Sequence, residues 1–315
     1  RPRAGSDTLA SVSSSPAIPC LIGPTASGKT GVGVHVARAL GGEVICCDAY
    51  SIYAGMRVLT AAPDAPPDVP HHLVGVRDPA EPYAAALFAE DCDRLIAAIR
   101  AGGHVPLIVG GTALYLRGWL KGFGAPVPRD ETLRAALRAQ AADKGPAALH
   151  AILAAEDPDR AAELHPNDLR RVIRAIEITR LTGRPASLQR AEWSGPDRVA
   201  ATVICLVRDM ADLERRIHAR TEAMFAEGVV AEARALLERP LCPEAAKVLG
   251  LAELRALLEG NVEEGEARTR IAHRTRQFAR KQMTFFRSFR DARFLEVAPD
   301  TSDEAVAAQV LDLLR

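Results

Sequence analysis

The sequence predicts an α/β fold in which a parallel sheet is flanked by helices and interrupted by an all-helical insertion. Short apolar runs alternate with helical patterns over the first 120 residues, which is typical of a sheet with helices on both faces. From 121 to 198 the pattern is wholly helical, and another apolar run follows. We therefore expect a catalytic core made of residues 18–120 and 199–315, with a helical insertion at 121–198.

The first predicted strand, Ile18–Ile22, runs directly into the motif G-x-x-x-x-G-K-[ST], which is a P-loop. Its glycines let successive backbone N–H groups converge on an anion, and the following helix adds its positive end. Lys29 supplies a cation, and the Thr30 hydroxyl can bind Mg²⁺. The motif predicts a P-loop NTPase-like core with a diphosphate or polyphosphate bound by Gly23, Pro24, Thr25, Ala26, Ser27, Gly28, Lys29 and Thr30.

Two further strands are predicted to end beside this loop. One covers Glu43–Cys47 and ends at Asp48, and the other covers Val105–Val109 and leads into Gly110-Gly111-Thr112. Ligands of open α/β sheets bind at the carboxyl ends of the strands. We therefore expect the P-loop, Asp48 and Thr112 to face one crevice.

The remaining elements follow from apolar spacing. Residues 60–82 are rich in proline and are predicted to form a loop. Helices are predicted at 83–100, 133–142, 147–156, 168–181, 210–227 and 229–238, and a strand at 199–207. Residues 267–290 hold eight Lys or Arg and no acid, which indicates a positive helix face that either is solvated or binds phosphates.

Composition limits the functional classes. Forty basic residues balance forty acidic ones, so nucleic acid would have to be bound by local patches. The six cysteines form no C-x-x-C pair and are expected to be buried free thiols. No apolar run approaches the roughly 20 residues that span a bilayer, so we expect a soluble, cytoplasmic protein. Residues 1–17 are expected to be a disordered tail or the remnant of a transit peptide.

Seven landmarks occur in an order that resembles the tRNA dimethylallyltransferase (IPP transferase) family. They are GPTASGKT (23–30), Asp48 with Tyr53, PHHL (70–73), VGGTALYLR (109–117), HPNDLRRVIRAIE (165–177), RRIHART (215–221) with Met224 and Gly228, and TRQFARKQMTFFR (275–287). The resemblance implies transfer of a dimethylallyl group from dimethylallyl diphosphate to N6 of adenine 37, in tRNAs that read codons starting with U. It also implies Mg²⁺ as cofactor, and the insertion would grip the anticodon stem-loop. We expect a monomer.

The resemblance also implies roles for individual residues. Asp48 would accept the proton of the amine, while Lys29 and Thr112 would act on the diphosphate. Arg220 would join the P-loop in binding the diphosphate, with Arg216 as a further candidate. The tRNA would be contacted by Asp48, Ala49, Tyr50, Ser51, Thr112, Arg134, Arg170, Arg171, Arg174, Arg276 and Arg280.

Some positions depart from the family pattern. Ser51 stands where the family usually has Gln, and its short side chain cannot make the bidentate contact that an amide makes to a base edge. Ala49 and Ala62 replace a Ser and a Lys. Ala113 replaces a Gly and would be strained if that position needs a positive φ.

Three other functions stay open at this point. An adenylate isopentenyltransferase would act on free AMP, ADP or ATP, although a small acceptor would not need the insertion. A P-loop nucleotide kinase would share the loop, although no lid with paired arginines is apparent. A tRNA-binding homologue with impaired catalysis would be consistent with the altered residues 49–51.

Overall fold

The computed structural model describes residues 16–64, 66–122, 127, 129–191 and 195–315. The proposed tail at 1–17 lies almost wholly outside them. The strands are β1 (Ile18–Ile22), β2 (Gly42–Cys47), β3 (His71–His72), β4 (Val105–Gly110), β5 (Ala201–Val207) and β6 (Arg293–Glu296). The helices are α1 (Lys29–Leu40), α2 (Arg57–Thr60), α3 (Ala85–Ala101), α4 (Ala113–Lys121), α5 (Glu131–Lys144), α6 (Pro146–Glu156), α7 (Pro158–Ala162), α8 (Leu169–Thr182), α9 (Ala186–Ala191), α10 (Met210–Ala226), α11 (Val229–Leu237), α12 (Leu251–Leu258), α13 (Glu264–Phe286) and α14 (Asp303–Leu314).

The six strands form one parallel sheet in the order β3-β2-β4-β1-β5-β6. The central strands β1 and β4 are almost fully buried, as expected for a parallel sheet covered on both faces. Because every strand runs the same way, β1, β2 and β4 bring the residues after their carboxyl ends to one edge. The predicted α/β class is therefore correct.

Alternate residues of the strands pack on opposite faces of the sheet. One face, with Leu21, Leu107 and Ile204, packs against α1 and α14. The other face, with Cys20 and Ile108, joins a larger core formed with α3, α4 and the helices from α10 to α13. All six cysteines are free and buried, as predicted.

The helices α5 to α9 have an apolar core of their own. It contains Leu137, Leu149, Leu153, Val172 and Ile176, each at most 2% exposed. This cluster is separate from the two clusters that cover the sheet. The predicted helices of this segment are present, each with bounds shifted by one or two residues.

The two ends of the helical segment meet side by side. Lys121 forms an ion pair with Asp197 at 2.7 Å. Arg198 donates from Nε to Trp119 O at 2.9 Å and from its backbone N–H to Leu120 O at 2.8 Å. The segment is thus attached to the core through two adjacent stretches of chain.

Two short strands differ from the sequence prediction. The predicted loop at 60–82 contains β3, whose two histidines pair with Val44 and Ile45 of β2. The strand β6 pairs with β5, although three of its four residues are exposed. Neither strand has the apolar run on which the sequence prediction depended.

Candidate active site

The P-loop makes a tight turn between β1 and α1. Gly28 has φ +90°, and Ala26 has φ +64°, a left-handed conformation that residues other than glycine seldom adopt. The chain enters α1 at Lys29, so the positive end of the helix lies at the loop. This geometry is the one that lets consecutive N–H groups face an anion.

Two side chains from distant parts of the chain hold Thr25 in this loop. Arg220 of α10 donates to Thr25 Oγ1 at 2.9 Å and to Thr60 O at 3.0 Å. Gln282 of α13 accepts from Thr25 N at 2.8 Å and donates to Gly111 O at 2.9 Å. The loop is therefore tied to α10, to α13 and to the end of β4.

Lys29 lies between the P-loop and the end of β2. Its Nζ donates to Pro24 O at 3.2 Å. Burial lowers the pKa of Lys29 to about 8, while Asp48 opposes that shift and Arg220 adds to it. Burial likewise lowers the pKa of Arg220, and Asp48 again opposes the change. Two desolvated cations thus face one carboxylate, an arrangement that favours binding of an anion.

Asp48 begins the turn after β2. Its Oδ1 accepts from Tyr50 N at 2.9 Å and from Ser51 N at 3.2 Å, which fixes the carboxylate. Within the described part of the chain, Oδ2 has no hydrogen-bond partner, so it can still accept a proton. Thr112 Oγ1 accepts from Ala49 N at 3.0 Å, which leaves the hydroxyl proton free to donate.

The ends of β2 and β4 approach closely because Gly110 has no side chain. A Cβ on Gly110 would lie 2.1 Å from Cys47 O. Thr112 N donates to the same oxygen at 3.1 Å. This approach explains how Thr112 reaches the turn that carries Asp48.

One cavity connects these groups and encloses about 1030 Å³, part of it open to solvent. Polar side chains line it at the phosphate end and at the turn after β2: Thr25, Lys29, Thr30, Arg220, Asp48, Tyr50 and Ser51. Apolar side chains, together called the apolar wall below, also line it: Leu59, Ile217, Met224, Val248, Ile271 and Phe278. The cavity can hold a molecule with an anionic end and a short apolar part next to a carboxylate.

The other predicted site residues lie around this cavity. Gly23, Pro24, Ala26, Ser27 and Gly28 form the loop without lining the cavity. Ala49 and Thr112 are hydrogen-bonded to each other and do not line the cavity, so the expectation that Thr112 faces the crevice is not met. Ala113 is the first residue of α4 and does not have a positive φ, so the strain that its replacement of glycine would cause is not present.

The arginines of the helical segment differ in whether their side chains are paired with a carboxylate. Arg134 makes two 2.8 Å hydrogen bonds to the buried carboxylate of Glu177, and Arg174 binds the same carboxylate. Arg171 pairs with Asp168 at 3.1 Å. Arg170 is exposed and has no polar partner among the described residues.

Arg170 also acts on the cavity through Tyr50. Burial and Asp48 raise the pKa of the Tyr50 hydroxyl, and the charge of Arg170 opposes that rise. Arg170 is thus the arginine of this group whose charge acts on a residue that lines the cavity. The tRNA contacts assigned to these arginines stay predictions.

The positive face expected on α13 is partly neutralised. Arg270, Arg274 and Arg276 pair with Glu266, Glu253 and Glu214. By contrast, Arg280 and Lys281 are exposed and have no ion pair in the described part of the chain. A role in phosphate binding is therefore better supported for the end of α13 than for its middle.

Sequence reasoning missed Gln282, although it carries a signal. The buried side chains of α13 include Ile271, Thr275, Ala279 and Phe286, and Gln282 falls on the same stripe. A glutamine within an apolar stripe must find polar partners when buried. Its partners here are the P-loop and Gly111.

The described residues contain no cluster of three or more His, Cys, Asp or Glu side chains arranged to bind a metal. Among them there is also no helix of sufficient length and apolarity to traverse a membrane.

Comparison with known proteins gives consistent matches. The family described as IPP transferase matches residues 51–289. The tRNA dimethylallyltransferase of Geobacillus kaustophilus is 39% identical over 300 residues, which cover 94% of each chain. That of Anaeromyxobacter sp. (strain K) is 43% identical and covers 92% of this chain and 95% of its own.

Two solved structures resemble the fold over most of its length. The full-length tRNA isopentenylpyrophosphate transferase of Bacillus halodurans has a TM-score of 0.68 and 32% identity, covering 95% of this chain and 97% of its own. A eukaryotic dimethylallyltransferase described as acting on tRNA has a TM-score of 0.74 and 25% identity, covering 90% of this chain and 74% of its own. With a match over most of the sequence, and with P-loop side chains and Asp48 lining one cavity, the chain belongs to the IPP transferase family.

Proposed function

We propose that this chain is a tRNA dimethylallyltransferase, which transfers the dimethylallyl group of dimethylallyl diphosphate to N6 of adenine 37 in tRNAs that read codons starting with U. The observation that carries the proposal is the cavity that is lined both by P-loop residues and by the Asp48 carboxylate, together with the apolar wall. Its phosphate end suits the diphosphate, and its wall suits the five-carbon chain. The family membership and the names of the relatives support the same reaction.

In the proposed reaction, the amine nitrogen forms a bond to C1 of the donor while the bond from C1 to the diphosphate oxygen breaks. The electron pair of the broken bond leaves with the diphosphate. Lys29, Arg220 and the P-loop N–H groups stabilise the negative charge that develops there. Asp48 Oδ2 takes the proton that the amine loses, since Oδ1 is already occupied by two N–H donors.

Mg²⁺ fits the donor groups at this end of the cavity. The Thr30 hydroxyl lines it and is an oxygen ligand of the kind that Mg²⁺ prefers. One protein oxygen is few, so substrate phosphate and water would complete the shell, as is usual for this ion. When bound, Mg²⁺ would neutralise charge on the diphosphate.

The helical segment supports a large acceptor over free AMP. It has its own core, and exposed Arg170 and Arg171 lie at the start of α8, where the charge of Arg170 opposes the rise in the pKa of Tyr50, a residue that lines the cavity. An adenine inside a stacked loop has to be extruded before its amine can reach the donor, and contacts to flanking phosphates would stabilise that state. We propose that α8 provides such contacts.

The test is transfer of radiolabelled dimethylallyl diphosphate, with Mg²⁺, to an unmodified anticodon stem-loop and, separately, to AMP. Wild type should label the stem-loop. Asp48→Asn keeps an oxygen that can accept from the N–H groups of Tyr50 and Ser51, but it removes the base. It should therefore lower kcat by about 10²–10⁴-fold, the usual contribution of a general base.

The matched control is Asp68→Asn. Asp68 is an exposed carboxylate paired with Arg38, away from the cavity, and its replacement should leave transfer unchanged. Label on AMP alone would instead assign the chain to the adenylate isopentenyltransferases. Stem-loop binding without transfer would indicate a homologue that has lost catalysis.

A further inference from the structure

Charged residues recur at intervals of four along α10 and just before it. They are Arg208, Asp212, Arg216 and Arg220. Residues four apart lie on one side of a helix. Three consecutive P-loop residues accept hydrogen bonds from three of them: Thr25 from Arg220, Ala26 from Arg216 and Ser27 from Arg208.

The two outer contacts are made to backbone carbonyl oxygens. Arg216 Nε donates to Ala26 O at 2.8 Å, and Arg208 Nε donates to Ser27 O at 2.7 Å. Arg208 is itself fixed by Asp212, whose Oδ2 accepts from Nη1 at 2.9 Å, and the side chains of this pair are at most 2% exposed. Both contacts engage backbone carbonyl groups of the loop and occupy none of its N–H groups, two of which already donate within the protein, Thr25 N to Gln282 and Ser27 N to Pro24 O.

Ala26 is the residue that needs such support. Its left-handed φ of +64° is unfavourable for a residue with a Cβ, and the bond from Arg216 engages the carbonyl of that same residue. The guanidinium of Arg216 also lies beside Gly28, where a Cβ would be 3.2 Å from Nη2. Arg216 thus contacts the loop on its outer side, whereas Arg220 lines the cavity.

We propose that Arg216 is a positioning residue, which holds the Ala26 carbonyl outside the cavity and so keeps the P-loop N–H groups directed at the diphosphate. The inference rests on the proposed function in that the loop binds a diphosphate. In this role Arg216 bonds to the protein and does not contact the ligand. The loop therefore requires the hydrogen bond of Arg216 and not its positive charge.

Two substitutions can separate the hydrogen bond of Arg216 from its positive charge. The Nε of arginine and the amide nitrogen of glutamine are separated from Cα by the same number of bonds. Arg216→Gln therefore keeps a donor for Ala26 O while removing the charge. Arg216→Met has a similar length and lacks both, so the two variants differ mainly in the hydrogen bond.

The experiment is calorimetric titration of each variant with inorganic diphosphate and Mg²⁺. Arg216→Met should weaken binding by about tenfold, the effect of losing one hydrogen bond to a charged donor. Arg216→Gln should stay within about threefold of wild type, because it restores the bond. Hydrogen exchange at the P-loop amides should rise in the Met variant and not in the Gln variant.

Two results would overturn the proposal. Equal weakening in both variants would mean that the charge of Arg216 acts on the diphosphate directly, and unchanged binding in both would mean that the loop needs no such support. His218→Ala, an exposed change on α10, is the control. Thermal melting of each variant checks folding. Diphosphate binding without prenyl transfer in wild type would contradict the proposed function alone, whereas absence of diphosphate binding would contradict both.

Discussion

Replacement of Glu177 by Gln should destabilise the helical segment α5 to α9 by about 3 kcal/mol. The Glu177 carboxylate is fully buried and accepts two hydrogen bonds from Arg134, one from Arg174 and one from the backbone of Asp130. Although burial alone would raise its pKa, the two arginines and the Asp130 N–H lower it from 4.5 to about 2. At 1.36 kcal/mol for each pK unit, this shift corresponds to about 3 kcal/mol of folding free energy at neutral pH.

The sign of the pH dependence follows from that shift. Because the pKa is lower in the folded state, the stabilisation is complete well above 4.5 and is lost as the pH falls towards 2. Between pH 7 and pH 4, protonation of Glu177 in the unfolded chain should remove about 1 kcal/mol of this stabilisation. The difference in stability between wild type and Glu177→Gln should therefore narrow by that amount.

Hydrogen exchange of the buried amides in α6 and α8 is the appropriate assay, because a chain whose helical segment has a core separate from those of the sheet need not unfold in one step. The control is Glu131→Gln, which removes an exposed partner of the same Arg134 and should cost less than about 1 kcal/mol. A loss below about 1 kcal/mol for Glu177→Gln, or a difference from wild type that does not change with pH, would refute the reasoning.

Three further outcomes follow from the structure. Because the pKa of Lys29 is about 8, KM for the diphosphate donor should rise as the pH passes 8, approaching about tenfold per pH unit, and Lys29→Arg should flatten the profile. Gly31→Ala would place Cβ 1.8 Å from Asp303 Oδ2, so it should lower Tm. Adding Asp303→Ala should restore Tm, and Gly265→Ala, with no atom within 4 Å, should not lower it. Glu232→Ala removes the carboxylate that accepts from the N–H groups of Val58 and Leu59 in the first turn of α2, at 2.9 and 2.7 Å, and urea unfolding should show a loss of about 1–2 kcal/mol.

The sequence predicted the buried strands of the sheet and the edge at which the site lies. Strands that are buried on both faces read as short apolar runs, and β1, β2, β4 and β5 all do so. Since parallel strands end at one edge, Lys29 and Asp48 could be expected to lie together before any contact was known. The strands β3 and β6 escaped prediction because they depend on pairing with β2 and β5 and not on their own composition.

The partners of individual arginines could not be predicted in the same way. Arg134 and Arg174 share Glu177 because α5 and α8 pack together, and sequence spacing does not show which helices meet. Gln282 likewise reaches Thr25 across 257 positions of sequence. Contacts of this kind depend on tertiary packing, which local pattern does not encode.

The strand order has a consequence for synthesis of the chain. The central strand β1 pairs with β4 on one side and with β5 on the other, and about 90 residues, including α5 to α9, separate β4 from β5. At about 5–20 residues per second, a ribosome takes several seconds to complete that interval, during which one edge of β1 has no partner. Arg208, Arg216 and Arg220 emerge later still. The helical segment can therefore fold on its own core while the nascent sheet is half built, and the phosphate loop acquires its working shape only when the second part of the core docks.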